Sequence, residues 1–176
     1  VEDGFLKITA KAENEGGKNY TSSRIKTENK YEFKYGKVEI RAKLPAGGGT
    51  WPALWMLGAN YDEPGKGWPI CGEIDIMEHK GNVPGEIHST LHYPGNSGGD
   101  GPSQSTMVPD ASTAFHVYSV IWSPESIRFF VDGTMYHEFA NNASTPFNAD
   151  FFLILNVAMG GTFGGTIDPS FTSSTL

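Results

Sequence analysis

The chain has 176 residues, with 13 Lys and Arg against 20 Asp and Glu, a formal net charge of −7 at pH 7. Neutralising nucleic-acid phosphates takes a basic face, so this balance excludes that class of partner. The 22 Gly and 11 Pro interrupt the chain too often for long helices, while 11 Phe, 7 Tyr and 4 Trp supply a core with rings to spare for a binding surface. No stretch approaches the ~18 apolar residues of a membrane span. The single Cys71 excludes an internal disulfide. One domain, residues 1–176, accounts for the length.

In chain order, alternating apolar and polar residues predict strands at Phe5 to Ala10, Tyr31 to Leu44, Ala53 to Leu57, Glu73 to His79 and Glu86 to Tyr93. Further strands are predicted at His116 to Trp122, Ser126 to Val131, Thr134 to Phe139 and Phe151 to Met159. In the second of these, Val38, Ile40, Ala42 and Leu44 share one face and Lys37, Glu39, Arg41 and Lys43 the other, the period of a half-buried strand. Asp132-Gly133 supplies the positive-φ pair of a two-residue hairpin turn. The best helical candidate is one short turn near Asp150, and residues 59–69 and 94–105 read as long surface loops. Regular short strands between turns imply an all-β fold, an antiparallel β-sandwich or barrel.

The segment Cys71-Gly72-Glu73-Ile74-Asp75-Ile76-Met77-Glu78-His79 sets three carboxylates within six residues on a strand otherwise built from Ile and Met. Acids this dense repel one another and call for a reason. In a regular strand Glu73 and Asp75 share a face that Glu78 does not; one extra residue near Ile76-Met77, a β-bulge, returns Glu78 to that face. Glu73 and Glu78 then stand about four strand steps apart, roughly 13 Å between Cα atoms. Side chains leaning together would bring their carboxyls to about 5 Å, the spacing of a retaining glycosidase. Spacing alone leaves three readings open: solvated charges, a hard-cation site for Ca²⁺ or Mg²⁺, and paired catalytic carboxylates.

The run Gly72-Glu73-Ile74-Asp75-Ile76-Met77-Glu78-His79 resembles the catalytic motif of glycoside hydrolase family 16 in its bulged form, characteristic of laminarinases (endo-β-1,3-glucanases) and shared with agarases and carrageenases. The resemblance extends through Tyr35 to Pro45, Trp51-Pro52-Ala53-Leu54-Trp55-Met56-Leu57, Leu91-His92-Tyr93, Phe129 to Gly133 and Leu155 to Gly161. It implies a concanavalin A-like β-jelly roll with a concave glycan-binding cleft. It also implies Glu73 as nucleophile, Asp75 as assisting carboxylate and Glu78 as acid/base. The implied activity is retaining endo-hydrolysis of β-1,3-glucan of the laminarin type, extending to mixed-linkage β-1,3-1,4-glucan. The alternatives are a galactan hydrolase, a glucan transglycosylase and a lectin-like carbohydrate-binding domain. Sulfated galactans would call for basic cleft residues, which the acidic balance does not suggest.

Around the carboxylates, Trp51 and Trp55 share a strand face and offer platforms for the apolar faces of sugar rings, and the family places such a pair at the substrate. Arg24 resembles an arginine that hydrogen-bonds glucose hydroxyls, with a surface ion pair as its plain alternative. Pairing across the turn from Lys80 to Gly85 predicts Glu73 opposite His92, Asp75 opposite Thr90 and Glu78 opposite His88. His92 is the candidate leaving-side contact; His88 and His92 alternate on a strand, which argues against a helical His-x-x-x-His zinc motif. Asn156 reads either as a buried hydrogen-bonded group or as a sugar contact. Met77, at the bulge, is expected to turn toward the sugar, against the alternative of an ordinary core Met.

The family normally carries further segments before the position of Val1 and after that of Leu176, so the chain is expected to lack an N-terminal and a C-terminal strand. The family's structural Ca²⁺ site uses a carbonyl near Gly4 and ligands from those segments, so calcium belongs to the longer protein and no metal or other cofactor is expected here. The resemblance also implies a secreted, bacterial, monomeric protein whose partner is a β-glucan, with no nucleic-acid or membrane partner.

Overall fold

The computed structural model describes the whole chain, Val1 to Leu176. Its strands are β1 (Thr9–Glu15), β2 (Lys18–Thr21), β3 (Arg24–Lys26), β4 (Glu32–Phe33), β5 (Gly36–Ala42), β6 (Thr50–Gly58) and β7 (Glu73–His79). These are followed by β8 (Glu86–His92), β9 (Ser103–Met107), β10 (His116–Trp122), β11 (Ser126–Val131), β12 (Thr134–Ala140), β13 (Phe151–Met159) and β14 (Ser173–Thr175). Helical structure is confined to a 3₁₀ turn at Gly98–Asp100 and one turn of helix, α1 (Gly161–Gly164).

All pairings are antiparallel. The large sheet runs β3-β13-β6-β7-β8-β9, with β4 added beside β13; a second sheet runs β12-β11-β10-β5 and a third β14-β1-β2. The large and second sheets face each other. Leu54, Met56, Ile74, Ile87, Leu91 and Phe151 from the former pack against Tyr118, Val120, Trp122, Ile127 and Phe129 from the latter in one core cluster. Ile8, just before β1, and Ala10 of β1 form a smaller cluster with Val157 of β13. This is the predicted antiparallel sandwich. The outer face of the large sheet is left for the acids of β7 and their neighbours.

The Asp132-Gly133 turn adopts positive φ at both residues, 48° and 78°, as its dipeptide requires. Several expected boundaries are corrected. Tyr31 to Leu44 is not one strand: Tyr35 and Gly36 take φ of 62° and 131°, and the chain crosses there from β4 in the large sheet to β5 in the second. The first strand begins at Thr9, not Phe5; Phe5 and Leu6 are 45% and 47% exposed. The end of the expected 94–105 loop is the edge strand β9, and the turn near Asp150 is not helical.

Gly81 marks a close approach that positions the site. A Cβ there would lie 1.9 Å from the Gly47 carbonyl oxygen, while its own N–H donates to the Thr50 carbonyl at 2.9 Å. The start of β6 is thereby pinned to the turn that leaves β7. An apolar hollow of about 830 Å³ lined by Phe5, Leu44, Leu54, Phe115 and Leu176 lies on the opposite side of the large sheet from the carboxylates. Near Gly4, the carboxylates of Glu2 and Asp3 pair with Lys7 at 2.7 and 3.6 Å.

Candidate active site

Strand β7 carries the predicted bulge. Asp75 pairs with Thr90 and Glu78 with His88, so Ile76 and Met77 together oppose Ser89; on the other side Trp55 pairs with Asp75 and Leu54 with Met77. The register Glu73↔His92, Asp75↔Thr90, Glu78↔His88 is the one expected from the sequence. Glu73 and Glu78 are thus separated by four ordinary steps on both neighbouring strands, with Asp75 between them on one face. Ile76 and Met77 both point into the core. Met77 is 0% exposed among the core side chains, so the expected sugar contact by Met77 is corrected: the thioether fills the space that the bulge opens between the sheets.

Each carboxylate has its own polar neighbours. Trp51 Nε1 donates to Glu78 Oε1 at 2.9 Å, and Thr90 Oγ1 lies 3.4 Å from Glu78 Oε2. His92 Nε2 is 3.2 Å from Asp75 Oδ2 and 3.7 Å from Glu73 Oε1. The indole of Trp68 lies beside Glu73, and its ring stands 5.9 Å from that of His92. Burial, followed by the charge of Asp75, pushes Glu73 up to about 9. Burial and then Glu78 hold Asp75 well above the usual carboxylate range, and burial raises Glu78 against the opposing pull of the Trp51 hydrogen bond. Three desolvated acids side by side do not all ionise together. Asp75 is the most buried of them, Glu73 lies toward the open side, and Glu78 sits between the Trp51 indole and the Thr90 hydroxyl.

The predicted wall residues surround this row. Trp55 Nε1 donates to Asn156 Oδ1 at 2.8 Å, and the Arg24 guanidinium lies 5.4 Å from the Trp55 ring centroid. Asn156 pairs with Ala53 on one side and Arg24 on the other, so it belongs to the same face, and its carbonyl fixes the orientation of the Trp55 ring. Trp51 packs 5.2 Å from Phe163, whose ring also stands 5.3 Å from His88 and 4.9 Å from Lys80 Nζ. Glu73, Asp75, Glu78, Trp51, Trp55, Arg24, His92 and Asn156 therefore gather on one face, and Met77 does not.

Two neighbours of the row were not foreseen. Trp68, 51% exposed, comes from the 59–69 loop, where no strand period signals it; a Trp-Pro pair five residues before an acid-rich strand is the available hint. Phe163 sits on α1 among Gly160, Gly161, Gly164 and Gly165, and a lone ring among glycines has no local core to join. Chemically, two carboxyls across four strand steps with an acid between them suit attack at a sugar carbon on one side and proton delivery on the other.

The sequence profile described as Glycosyl hydrolases family 16 matches residues 2–174. The chain belongs to glycosyl hydrolases family 16. Within family 16, it is 44% identical over 182 residues to the Beta-glucanase of Rhodothermus marinus, covering 96% of this chain and 64% of that one. It is 38% identical over 195 residues to Glucan endo-1,3-beta-glucosidase A1 of Niallia circulans, covering 97% of this chain and 28% of that relative. Among solved family 16 structures, the laminarinase from Rhodothermus marinus superposes with a TM-score of 0.94 at 43% identity, over 99% of this chain and 75% of the other. The chain thus spans about two-thirds or less of the length of these two curated relatives.

Proposed function

We propose that this chain is a retaining endo-hydrolase of β-1,3-glucan of the laminarin type, acting also on the 1,3-containing mixed-linkage glucans. The observation that carries the reading is the face shared by Glu73, Asp75 and Glu78 across the β7 bulge. The names of its relatives, Beta-glucanase and Glucan endo-1,3-beta-glucosidase, support the substrate class.

In the first displacement a Glu73 oxygen attacks the anomeric carbon while Glu78 protonates the departing glycosidic oxygen, leaving a glycosyl ester on Glu73 and a shortened glucan. In the second, Glu78 takes a proton from water, the water oxygen attacks the same carbon, and Glu73 leaves as a carboxylate. Two inversions restore the β-configuration. Asp75, beside Glu73, shares the proton that Glu73 must give up before it attacks. Trp51 and Trp55 stack sugar rings, Arg24 and Asn156 reach hydroxyls beside Trp55, and His92 meets the sugar next to Glu73. Nucleophile, acid and water complete the chemistry without a cofactor. A polymeric substrate also supports a secreted enzyme working on it outside the cell.

Glu73→Ser is the direct test. The variant should bind laminarin with little change yet lose hydrolysis by at least about a thousandfold. Undiminished cleavage would overturn the assignment. Proton NMR of the first reducing ends should show the β-anomer, and an initial α-anomer would exclude the double displacement.

A further inference from the structure

The row of acids offers a second kind of ligand a place to sit. Glu73, Asp75 and His92 each present one donor atom, and the three atoms lie within 4.8 Å of one another. Two of the separations are 3.2 Å, between His92 Nε2 and Asp75 Oδ2, and 3.7 Å, between His92 Nε2 and Glu73 Oε1. A tetrahedral ion with bonds of about 2.0–2.2 Å sets its ligand atoms about 3.4 Å apart, midway between these values.

An independent feature points the same way. Asp75 is 3% exposed, and no donor of the chain meets its buried Oδ2 in hydrogen-bond geometry, His92 Nε2 lying 3.2 Å away. A buried carboxylate oxygen without a donor costs free energy that a cation at that spot would remove. The three acids of β7 also lack a lysine or arginine in ion-pair contact. Two carboxylates with one imidazole are the donor set of a borderline transition ion such as Zn²⁺, whereas Ca²⁺ and Mg²⁺ favour six or more oxygens. Glu73 and His92 are only partly buried, so a fourth ligand enters from the cleft.

We propose that the chain binds one Zn²⁺ between Glu73 Oε1, Asp75 Oδ2 and His92 Nε2, and that the ion is a reversible inhibitor competing with glucan. The competition follows because the ion occupies the carboxylate that must attack the sugar, and in this respect alone the proposal rests on the glycosidase reading. Binding itself does not.

The test is calorimetric titration of ZnCl₂ into the whole chain at neutral pH in a non-coordinating buffer, with CaCl₂ in parallel. One Zn²⁺ per chain and no comparable Ca²⁺ heat are expected. His92→Gln and Asp75→Asn should each weaken Zn²⁺ binding at least tenfold, with thermal melts confirming that both variants fold. His116→Gln, which removes an imidazole held between Asp110 and Asp132 on the second sheet, should leave binding unchanged. Laminarin hydrolysis should fall competitively with Zn²⁺ and return with EDTA. Absence of binding, or binding lost with His116 but not with His92, would overturn the site. Zn²⁺ bound through His92 with hydrolysis undisturbed would overturn the inhibition. Zn²⁺ bound through His92 in a chain that cleaves no glucan would uphold the site and sink the glycosidase reading instead.

Discussion

Glu78 is held by a donor that works against its burial. The Trp51 indole N–H favours the ionised carboxylate, so removing it raises the Glu78 pKa further. In the proposed double displacement the proton donor must carry its proton, and the alkaline limb of kcat/KM reports its loss in the free enzyme. Trp51→Phe should therefore move that limb to higher pH, alongside a rise in KM from the weakened platform. An unmoved limb would show that the indole does not tune Glu78. At this scale the acids were legible because three charges among Ile and Met stand out in any reading of β7. Met77 was not legible: a bulge gives two residues one position, and the pattern does not say which of them turns. Both Ile76 and Met77 turn inward, at 1% and 0% exposure. Trp68 was hidden for a different reason, since its loop has no period to read.

The turn between β7 and β8 and the loop after β13 act as one wall of the cleft. Asn82 Nδ2 donates to the Gly164 carbonyl at 2.6 Å and the Thr166 carbonyl at 3.1 Å, fastening the segment that carries Phe163 against Trp51. Asn82→Ala removes both bonds, a loss of about 1–2 kcal/mol. The expected outcome is a raised KM for laminarin with kcat nearly unchanged, because the row of acids is untouched; a fall in kcat alone would contradict this role. Element existence was readable from alternation, and element ends were not. Residues 31–44 alternate throughout, yet positive φ at Tyr35 and Gly36 lets the chain change sheets. Strand β9, Ser-Gln-Ser-Thr-Met, has too little apolar contrast to announce itself and forms because β8 offers it an edge.

Over the whole molecule, two buried groups pull stability in opposite directions with pH. Glu73 titrates at about 9 when folded against an ordinary 4.5, so the folded state holds the extra proton and its contribution declines as pH rises through that interval. His79 is pushed down to about 4 from 6.5 by burial and accepts the Gly85 N–H at 3.1 Å; the unfolded chain binds the extra proton there, so stability declines as pH falls from 6.5 toward 4. Thermal melts should trace a dome with its top between these limbs. Glu73→Gln should make the alkaline limb shallower, Asp75 and Glu78 supplying the rest, and leave the acid limb in place, raising Tm at pH 8 by about 2–4 °C for each kcal/mol recovered. Equal melting temperatures of wild type and variant across pH 5–9 would refute the assignment. The sandwich itself was the most legible level, since turn-separated alternation in a chain rich in Gly and aromatics admits few other all-β solutions.

The placement of the tryptophans gives this molecule a built-in optical readout. Trp51, Trp55 and Trp68 stand at the cleft, whereas Trp122 is 2% exposed in the core and donates to the Phe147 carbonyl at 3.0 Å. Intrinsic fluorescence therefore divides into two populations that respond to different events. Oligosaccharide added to Glu73→Ser should change the intensity of the three cleft rings without shifting the emission of the fourth, while denaturant should shift Trp122 to the red. Occupancy and unfolding become separable in a single cuvette, with no label attached.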